Sequence, residues 1–250
     1  FSYSMRDEPE VDTNILIIYE DADYLVIDKP AGLPVHPSGI YKTQTVTTLL
    51  VERSLLKTPY LLYRLDRETS GVLVLGKNRK AAAAFHRILR AGLITKEYVV
   101  AVEGCVGGAF DAKGFIFRLP DSRLPRQRFY KESTPPSTAM EIQSCHTRFT
   151  PLKTMHETTL LKAELFTGRM HQIRATLFSL GYPVIGDKLY GVNPNFYFDF
   201  ADNTLTQSDW KKLRLKRSAL HCKKLSLKHP VTGINWVLQT EIPKDILSIF

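Results

Sequence analysis

The chain predicts an α+β domain built on a largely antiparallel sheet. Strand-like and helix-like periods alternate without a repeating unit, and neighbouring strand candidates are joined by short turns. Composition agrees: 44% hydrophobic and 24% charged residues over 250 positions are ordinary for a folded chain with a sizeable core.

Taken in order, "ILIIYEDADYLVIDKPAGLPVHP" reads as two β-branched runs around an acidic turn, followed by a loop through Pro30, Gly32, Pro34 and Pro37. "TVTTLLVERSLLK" places its apolar residues at helical spacing. "GVLVLGK" reads as a buried strand, and "RKAAAAFHRILRAG" as a helix stopped at Gly92. "TKEYVVAVEG" is a further strand ending at Gly104. From Leu119 to Ser137 the chain is rich in Pro, Ser and Arg, and a surface loop is expected. "TTLLKAELFTG" resumes a strand, "MHQIRATLFSLG" a short helix, and "NPNFYFDFADNTLTQSD" a polar loop bearing aromatics. The end, "ALHCKKLSLKHPVTGINWVLQTEIP", predicts two strands turning at His229 to Gly233. There is no internal repeat and no clean linker.

Thirty-four Lys and Arg against 25 Asp and Glu give a formal charge of +9, which favours an anionic partner. Cys105, Cys145 and Cys222 are odd in number and lack C-x-x-C spacing, which argues against a disulfide framework or a zinc site and for a reducing compartment. No apolar run approaches the roughly 20 residues of a membrane-spanning helix, and "FSYSMRDEPE" has no apolar signal core. An intracellular protein is expected, in the cytoplasm before mitochondrion or nucleus, acting as a monomer without membrane or metal.

One stretch concentrates chemistry. In "YRLDRETSGVLVLGKN" a single carboxylate, Asp66, stands between Arg64 and Arg67 on a turn-like segment that runs straight into a buried strand. An arbitrary R-x-D-R is most often a surface ion pair contributing little. Here Thr69 and Ser70 are suited to bonding a turn, and Gly71 to a tight strand start. A carboxylate fixed beside arginine is held ionised, as a nucleophile or base must be.

That stretch resembles the H-R-L-D-R-x-T-S-G-L-L-L signature of the RluA-like (large-subunit type A) pseudouridine synthases. Other segments resemble further family motifs in the family's order. "YEDADYLVIDKPAGLPVHPSG" is similar to the opening motif, "LITKEYVVAVEG" to the K-x-Y-x-A strand, and "LFTGRMHQIRATLFSLGYPVIGDKLYG" to the T-G-R-x-H-Q-I-R…G-x-P-I-x-G-D-x-x-Y-G block. "LHCKKLSLKHPVTG" resembles the closing motif. The match runs from about Ile15 to Ile242, leaving 1–14 as an N-terminal extension, 15–250 as the catalytic domain, and no separate RNA-binding module.

The resemblance implies isomerisation of a uridine in RNA to its C-linked isomer with no metal or organic cofactor. Asp66 matches the catalytic aspartate, acting on either the ribose or the uracil ring. One carboxylate suffices, unlike the pair used in ordinary glycoside hydrolysis. Arg64 matches the arginine that enters the RNA stack where the target leaves it, a flip required because the reacting atoms are hidden in stacked RNA. Tyr98 matches the tyrosine stacked on the flipped uracil, and Arg174 the buried arginine paired with the catalytic aspartate. Ile173 is expected to wall the uracil pocket. Arg67, Lys96, Arg169, His171 and Gln172 are expected to contact RNA.

Two departures bear on substrate contacts: Tyr63 stands where the signature has His, and "STPPSTAM" only loosely resembles the family's middle segment. Two basic stretches are candidate phosphate tracks, Arg118–Lys131 and Lys211–Lys228, the second with eight Lys or Arg and no acid. "GLPVHPSGIYKTQTV" looks closest to members acting on transfer RNA, with ribosomal RNA next. Two other classes remain: a catalytically idle relative acting as RNA chaperone or assembly factor, and a nucleoside hydrolase. Retention of Asp66, Tyr98 and Arg174 argues against idleness, and no second carboxylate or metal partner for a hydrolytic water is evident in the motifs.

Overall fold

The structure, a computed structural model, describes residues 8–124 and 126–250. In chain order the elements are β1 (Leu16–Glu20), β2 (Tyr24–Lys29), α1 (Val46–Glu52), β3 (Tyr60–Leu61), β4 (Ser70–Gly76), α2 (Arg79–Arg90), β5 (Thr95–Glu103), β6 (Phe110–Arg118), β7 (Phe129–Lys131), β8 (Met140–Met155), β9 (Thr158–Leu165), α3 (Gln172–Ser179), α4 (Phe196–Ala201), α5 (Gln207–Leu213), β10 (Leu220–Lys228), β11 (Asn235–Gln239) and α6 (Lys244–Leu247). The α+β expectation holds, and β1/β2, β2/β4, β3/β4, β5/β9, β6/β7, β6/β8, β8/β9 and β10/β11 all pair antiparallel.

The chain divides into two compact units, one comprising residues up to 94 with 222–240, the other 95–221 with 241–250. In the first, β1 and β2 form the expected hairpin, and Asp21 fastens its acidic turn by accepting from the Asp23 and Tyr24 amides. β2 pairs along β4, whose other edge meets β3 and β10. Val72, Leu73, Val74 and Leu75 of β4 are completely buried. At about 1.5–3 kcal/mol per buried aliphatic side chain, this run anchors the unit. Gly71 starts β4 at φ +110°, and a Cβ there would stand 2.2 Å from the Cys222 carbonyl oxygen, so the strand can enter at this depth only as glycine. Helix α2 is capped by Asn78, whose side chain accepts from the Ala81 amide, and stops at Gly92 with φ +69°.

In the second unit β5, β9, β8, β6 and β7 follow one another as neighbours. β8 runs for 16 residues, and its register shifts between Pro151 and Lys153, where proline cannot donate to the ladder.

Two expected loops contain structure. Phe129–Lys131 pairs with β6 inside the Arg-rich stretch, so 119–137 is not all loop. The aromatic-bearing segment holds α4 and α5. Phe196 is fully buried and seats α4, while Thr206 and Asp209 form a reciprocal capping box at the start of α5. That T-x-x-D signal was readable, but the surrounding Asn and Asp mimic a loop. Among the described residues no helix is long and apolar enough to cross a membrane.

Candidate active site

Asp66 opens a tight turn in the first unit. Its carbonyl accepts the Thr69 amide at 3.1 Å, closing the four-residue Asp66–Thr69 turn, and the chain then drops into β4. Leu65 on one side and Thr69 and Ser70 on the other are buried, leaving the half-buried Asp66 on a tethered backbone. The turn is also held from below. Lys29 has no solvent exposure, and its ammonium donates to the carbonyls of Pro30 at 2.8 Å, Leu33 at 2.8 Å and Arg67 at 3.0 Å. A buried cation is costly unless its donors are satisfied. Lys29 meets that demand by stitching the Pro/Gly loop to the residue after Asp66, and the Gly32 amide adds a second bond to the Arg67 carbonyl at 2.9 Å.

The two flanking arginines differ. Arg67 donates to the Tyr41 hydroxyl at 2.6 Å and pairs with Glu68 at 3.1 Å, so its guanidinium is engaged in bracing the loop. Arg64 is exposed and makes no hydrogen bond or ion pair among the described residues. Tyr63, the departure from the family's His, donates its hydroxyl to the Val72 carbonyl at 2.8 Å and lies nearly parallel to the Phe85 ring. It therefore braces β4.

Arg174, Tyr98, Lys96, Arg169, His171, Gln172 and Ile173 lie in the second unit. Arg174 is buried on α3, so the alternative of a solvated helix arginine is excluded. Within the second unit its partner is Asp187. Two edges of the Arg174 guanidinium are taken by Asp187, Nε to Oδ2 at 2.6 Å and Nη2 to Oδ1 at 2.9 Å, a bidentate fork–carboxylate match. Asp187 is fully buried and also accepts the amides of Leu189 and Tyr190, each at 2.9 Å. Burial alone pushes its carboxyl up, yet the Arg174 charge and these hydrogen bonds outweigh it and hold the group below its ordinary range. The Arg174 guanidinium further covers the Tyr190 ring at 5.1 Å.

The Asp187 segment is fixed on β5. Ile185 donates to the Ala101 carbonyl, and Ala219 to the Ile185 carbonyl. Gly186 precedes Asp187 at φ +75°, where a Cβ would stand 2.1 Å from the Arg217 carbonyl oxygen. The signal for Asp187 was the "GDKLYG" already visible in the sequence, but nothing local distinguishes a buried Asp from a turn Asp.

Gln172, expected to touch RNA, is instead structural. It is 2% exposed; its Oε1 accepts from the Thr167 hydroxyl and the Arg169 amide, and its Nε2 donates to the His146 carbonyl and the Thr147 hydroxyl. A fully used amide has nothing left to offer a ligand. His171 caps α3 in the left-handed region at φ 56° and is half-buried, with Nδ1 3.0 Å from the Tyr190 hydroxyl. Arg169 is exposed and anchored through Nε to the Ser144 carbonyl. The Lys96 ammonium stands 3.7 Å from where a Gly168 Cβ would lie, against the turn that carries Arg169. Ile173 is buried, a place consistent with core or pocket wall.

Tyr98 is 7% exposed on β5, opposite Ala163 of β9. Tyr98→Phe is expected to retain substrate binding because the ring survives, and Tyr98→Leu to lose more rate. Steady-state turnover of both variants checks this, and parent-like rates in both remove stacking at Tyr98 from the mechanism.

Acids from elsewhere in the chain engage part of each basic stretch. In Arg118–Lys131, Arg118 and the buried Arg128 share the Glu141 carboxylate, and Arg123 lies over the Phe198 ring. In Lys211–Lys228, Arg214 pairs with Glu103 at 2.9 Å and Arg217 is held by Asp245 at 2.8 Å. The stretch contains no acid of its own, yet distant acids reach it. Lys211, Lys212 and Lys216 remain exposed. Changing these three to methionine is expected to weaken RNA binding across sequences. The slope of log affinity against log salt should flatten by about 0.7 for each lost phosphate contact on single-stranded RNA. A salt titration with an unaltered slope would reduce them to a solvated face.

Comparison with known proteins bears on the whole chain. A family model described as RNA pseudouridylate synthase matches residues 23–179. Ribosomal large subunit pseudouridine synthase D of Pseudomonas aeruginosa is 32% identical over 94% of this chain and 71% of its own length. An uncharacterized RNA pseudouridine synthase of Aquifex aeolicus is 33% identical over 94% of this chain and 72% of its own. Among solved structures, human RNA pseudouridylate synthase domain containing 1 covers 94% of this chain and 86% of its own at TM-score 0.72 and 22% identity, a likeness of fold. Human RNA pseudouridylate synthase domain containing 4 covers 93% and 90% at TM-score 0.68 and 25% identity.

Proposed function

Because the chain belongs to the RluA-like RNA pseudouridylate synthase family, whose members are RNA isomerases, we propose that Asp66 is its catalytic carboxylate and transfer RNA its substrate. In the reaction the bond from ribose C1′ to uracil N1 breaks, the detached ring turns, and C1′ bonds to C5. The C5 proton is lost and N1 gains one, so the conversion is balanced without an oxidant or a second substrate. Asp66 acts on the ribose or on the ring. Arg64 fills the stack that the target uridine vacates, and Tyr98 stacks on the flipped base. Arg174 acts through its buried pair with Asp187, which fixes the start of α3 and with it Ile173.

The observation that carries this reading is the Asp66 turn: one carboxylate on a backbone tethered by Lys29 and Thr69, beside an exposed and uncommitted Arg64. Support for transfer RNA comes from "GLPVHPSGIYKTQTV". The names of relatives such as the Pseudomonas aeruginosa and Yersinia pestis proteins favour a second reading, large-subunit ribosomal RNA. Release of tritium from transcripts carrying 5-tritiated uridine separates them. Transfer RNA transcripts are expected to release tritium faster than large-subunit ribosomal fragments. Release from the ribosomal fragments alone would move the substrate, and release from neither would favour the idle RNA-binding relative.

A further inference from the structure

Phe166 follows the last residue of β9 and precedes the Thr167–Gly168–Arg169 turn, and it is 58% exposed. Such exposure of a large aromatic ring calls for a reason, because an isolated ring in water gains nothing. One face is already covered. The His146 ring stacks on it with centroids 4.2 Å apart and planes 17° apart.

This pair is built rather than incidental. His146 Nε2 lies 2.6 Å from the Asp111 carboxylate, which fixes the imidazole plane. The His146 amide donates to the Thr167 hydroxyl, and the His146 carbonyl accepts from the Phe166 amide and from buried Gln172. Two rings are thus locked parallel, with the outer one facing solvent. A third flat, weakly polar ring is the natural continuation of such a stack.

The surroundings select what that ring belongs to. Lys96 stands against Gly168, and exposed Arg169 is anchored to Ser144, so cations occupy the turn that continues from the platform. An open cleft of about 440 Å³ adjoins it, lined in part by Lys113, Glu132, Ser144, His146 and Thr167. Of the other nearby carboxylates, Asp111 is spent on His146 and, at 3.6 Å, on Arg148, and Glu164, two residues before Phe166, pairs with Lys162 at 3.3 Å. Aromatic faces with flanking cations are how proteins hold unpaired nucleotides, the ring taking the base and the cations the phosphates.

We propose that Phe166 is a stacking platform for an unpaired base of the substrate RNA, with Lys96 and Arg169 on the adjoining phosphates. The site rests on the reading of the chain as an RNA enzyme and adds to it a position that holds a base other than the reacting uridine. His146 and Asp111 are positioning residues that keep the platform flat.

Binding of a fluorescein-labelled oligouridylate at several salt concentrations tests this with the full chain. Phe166→Ala and Phe166→Leu are expected to weaken binding about fivefold or more, Phe166→Trp to retain it, and all three to keep the parent salt slope because no charge is lost. Thermal unfolding of an exposed-site variant should stay at the parent value. Parent-like affinity in Phe166→Ala or Phe166→Leu overturns the platform and leaves the ring to a protein partner. In that event unchanged tritium release from transcripts shows that the enzymatic reading survives. Failure of the parent protein to bind oligouridylate, transfer RNA and large-subunit ribosomal fragments alike overturns both.

Discussion

Asp66→Asn is expected to abolish isomerisation while leaving RNA binding intact. The amide keeps the shape of the carboxylate and removes the charge on which its action on ribose or ring depends. Because the Thr69 and Gly32 amides and the Lys29 ammonium bond backbone carbonyls of the turn, Thr69 at Asp66 and the other two at Arg67, the exchange leaves these tethers in place. Tritium release from 5-tritiated RNA should fall to background, while affinity and its salt dependence match the parent. Arg64→Ala should divide differently. It leaves the carboxylate in place and should slow turnover more than it weakens initial binding, because the role proposed for the lost side chain begins only once the target has left the stack. Appreciable residual turnover in Asp66→Asn would remove Asp66 from the chemistry.

Arg174→Met is expected to be the most destabilising of the substitutions considered, at about 3–5 kcal/mol, because it strands a buried carboxylate without its counter-ion. The stranded group is Asp187, which has no solvent exposure. The pair also sets a pH dependence. The Asp187 carboxyl titrates below its ordinary range in the folded protein, so its stabilisation is present above the unfolded value of about 3.9 and fades as pH falls through the lower folded value. In Arg174→Met the guanidinium charge and its hydrogen bonds are gone and only the Leu189 and Tyr190 amides still oppose burial, so the carboxyl should rise and the variant should lose less stability than the parent as pH falls toward the acid range. Urea denaturation at several pH values measures both effects. Replacing both partners, Arg174→Met with Asp187→Leu, should recover only part of the loss, because the Leu189 and Tyr190 amides then lose their acceptor. Parent-like stability of the single variant would mean that the pair contributes nothing.

How much of this was legible in the sequence depends on whether the deciding contacts are local. The hairpin of β1 and β2, the buried run of β4, the Asn78-capped α2 and the closing pair β10 and β11 follow from periods and caps that neighbouring residues establish alone. The Asp66 turn is equally local, since Thr69 and Gly71 are its own neighbours in sequence. What stayed hidden was paired at a distance. Lys29 reads as a polar residue before a proline, and only the fold reveals that it bonds Arg67, 38 positions away. Gln172 reads as a polar helix residue near cations, and only its four hydrogen-bond partners show that it binds the turn to β8. Lys211–Lys228 contains no acid, so nothing local announces that Glu103 and Asp245 engage two of its arginines. Spacing identifies residue types that share a motif, while burial and partner choice are properties of the folded chain.

The central claim is that this chain forms pseudouridine in RNA through Asp66. The most direct test incubates total RNA with purified parent protein or with Asp66→Asn and maps pseudouridine at single-nucleotide resolution. New pseudouridine is expected at one or a few uridines with the parent, transfer RNA positions first among them, and none with Asp66→Asn. The same new sites in both samples, or no new site with a parent protein that binds the RNA, would contradict it.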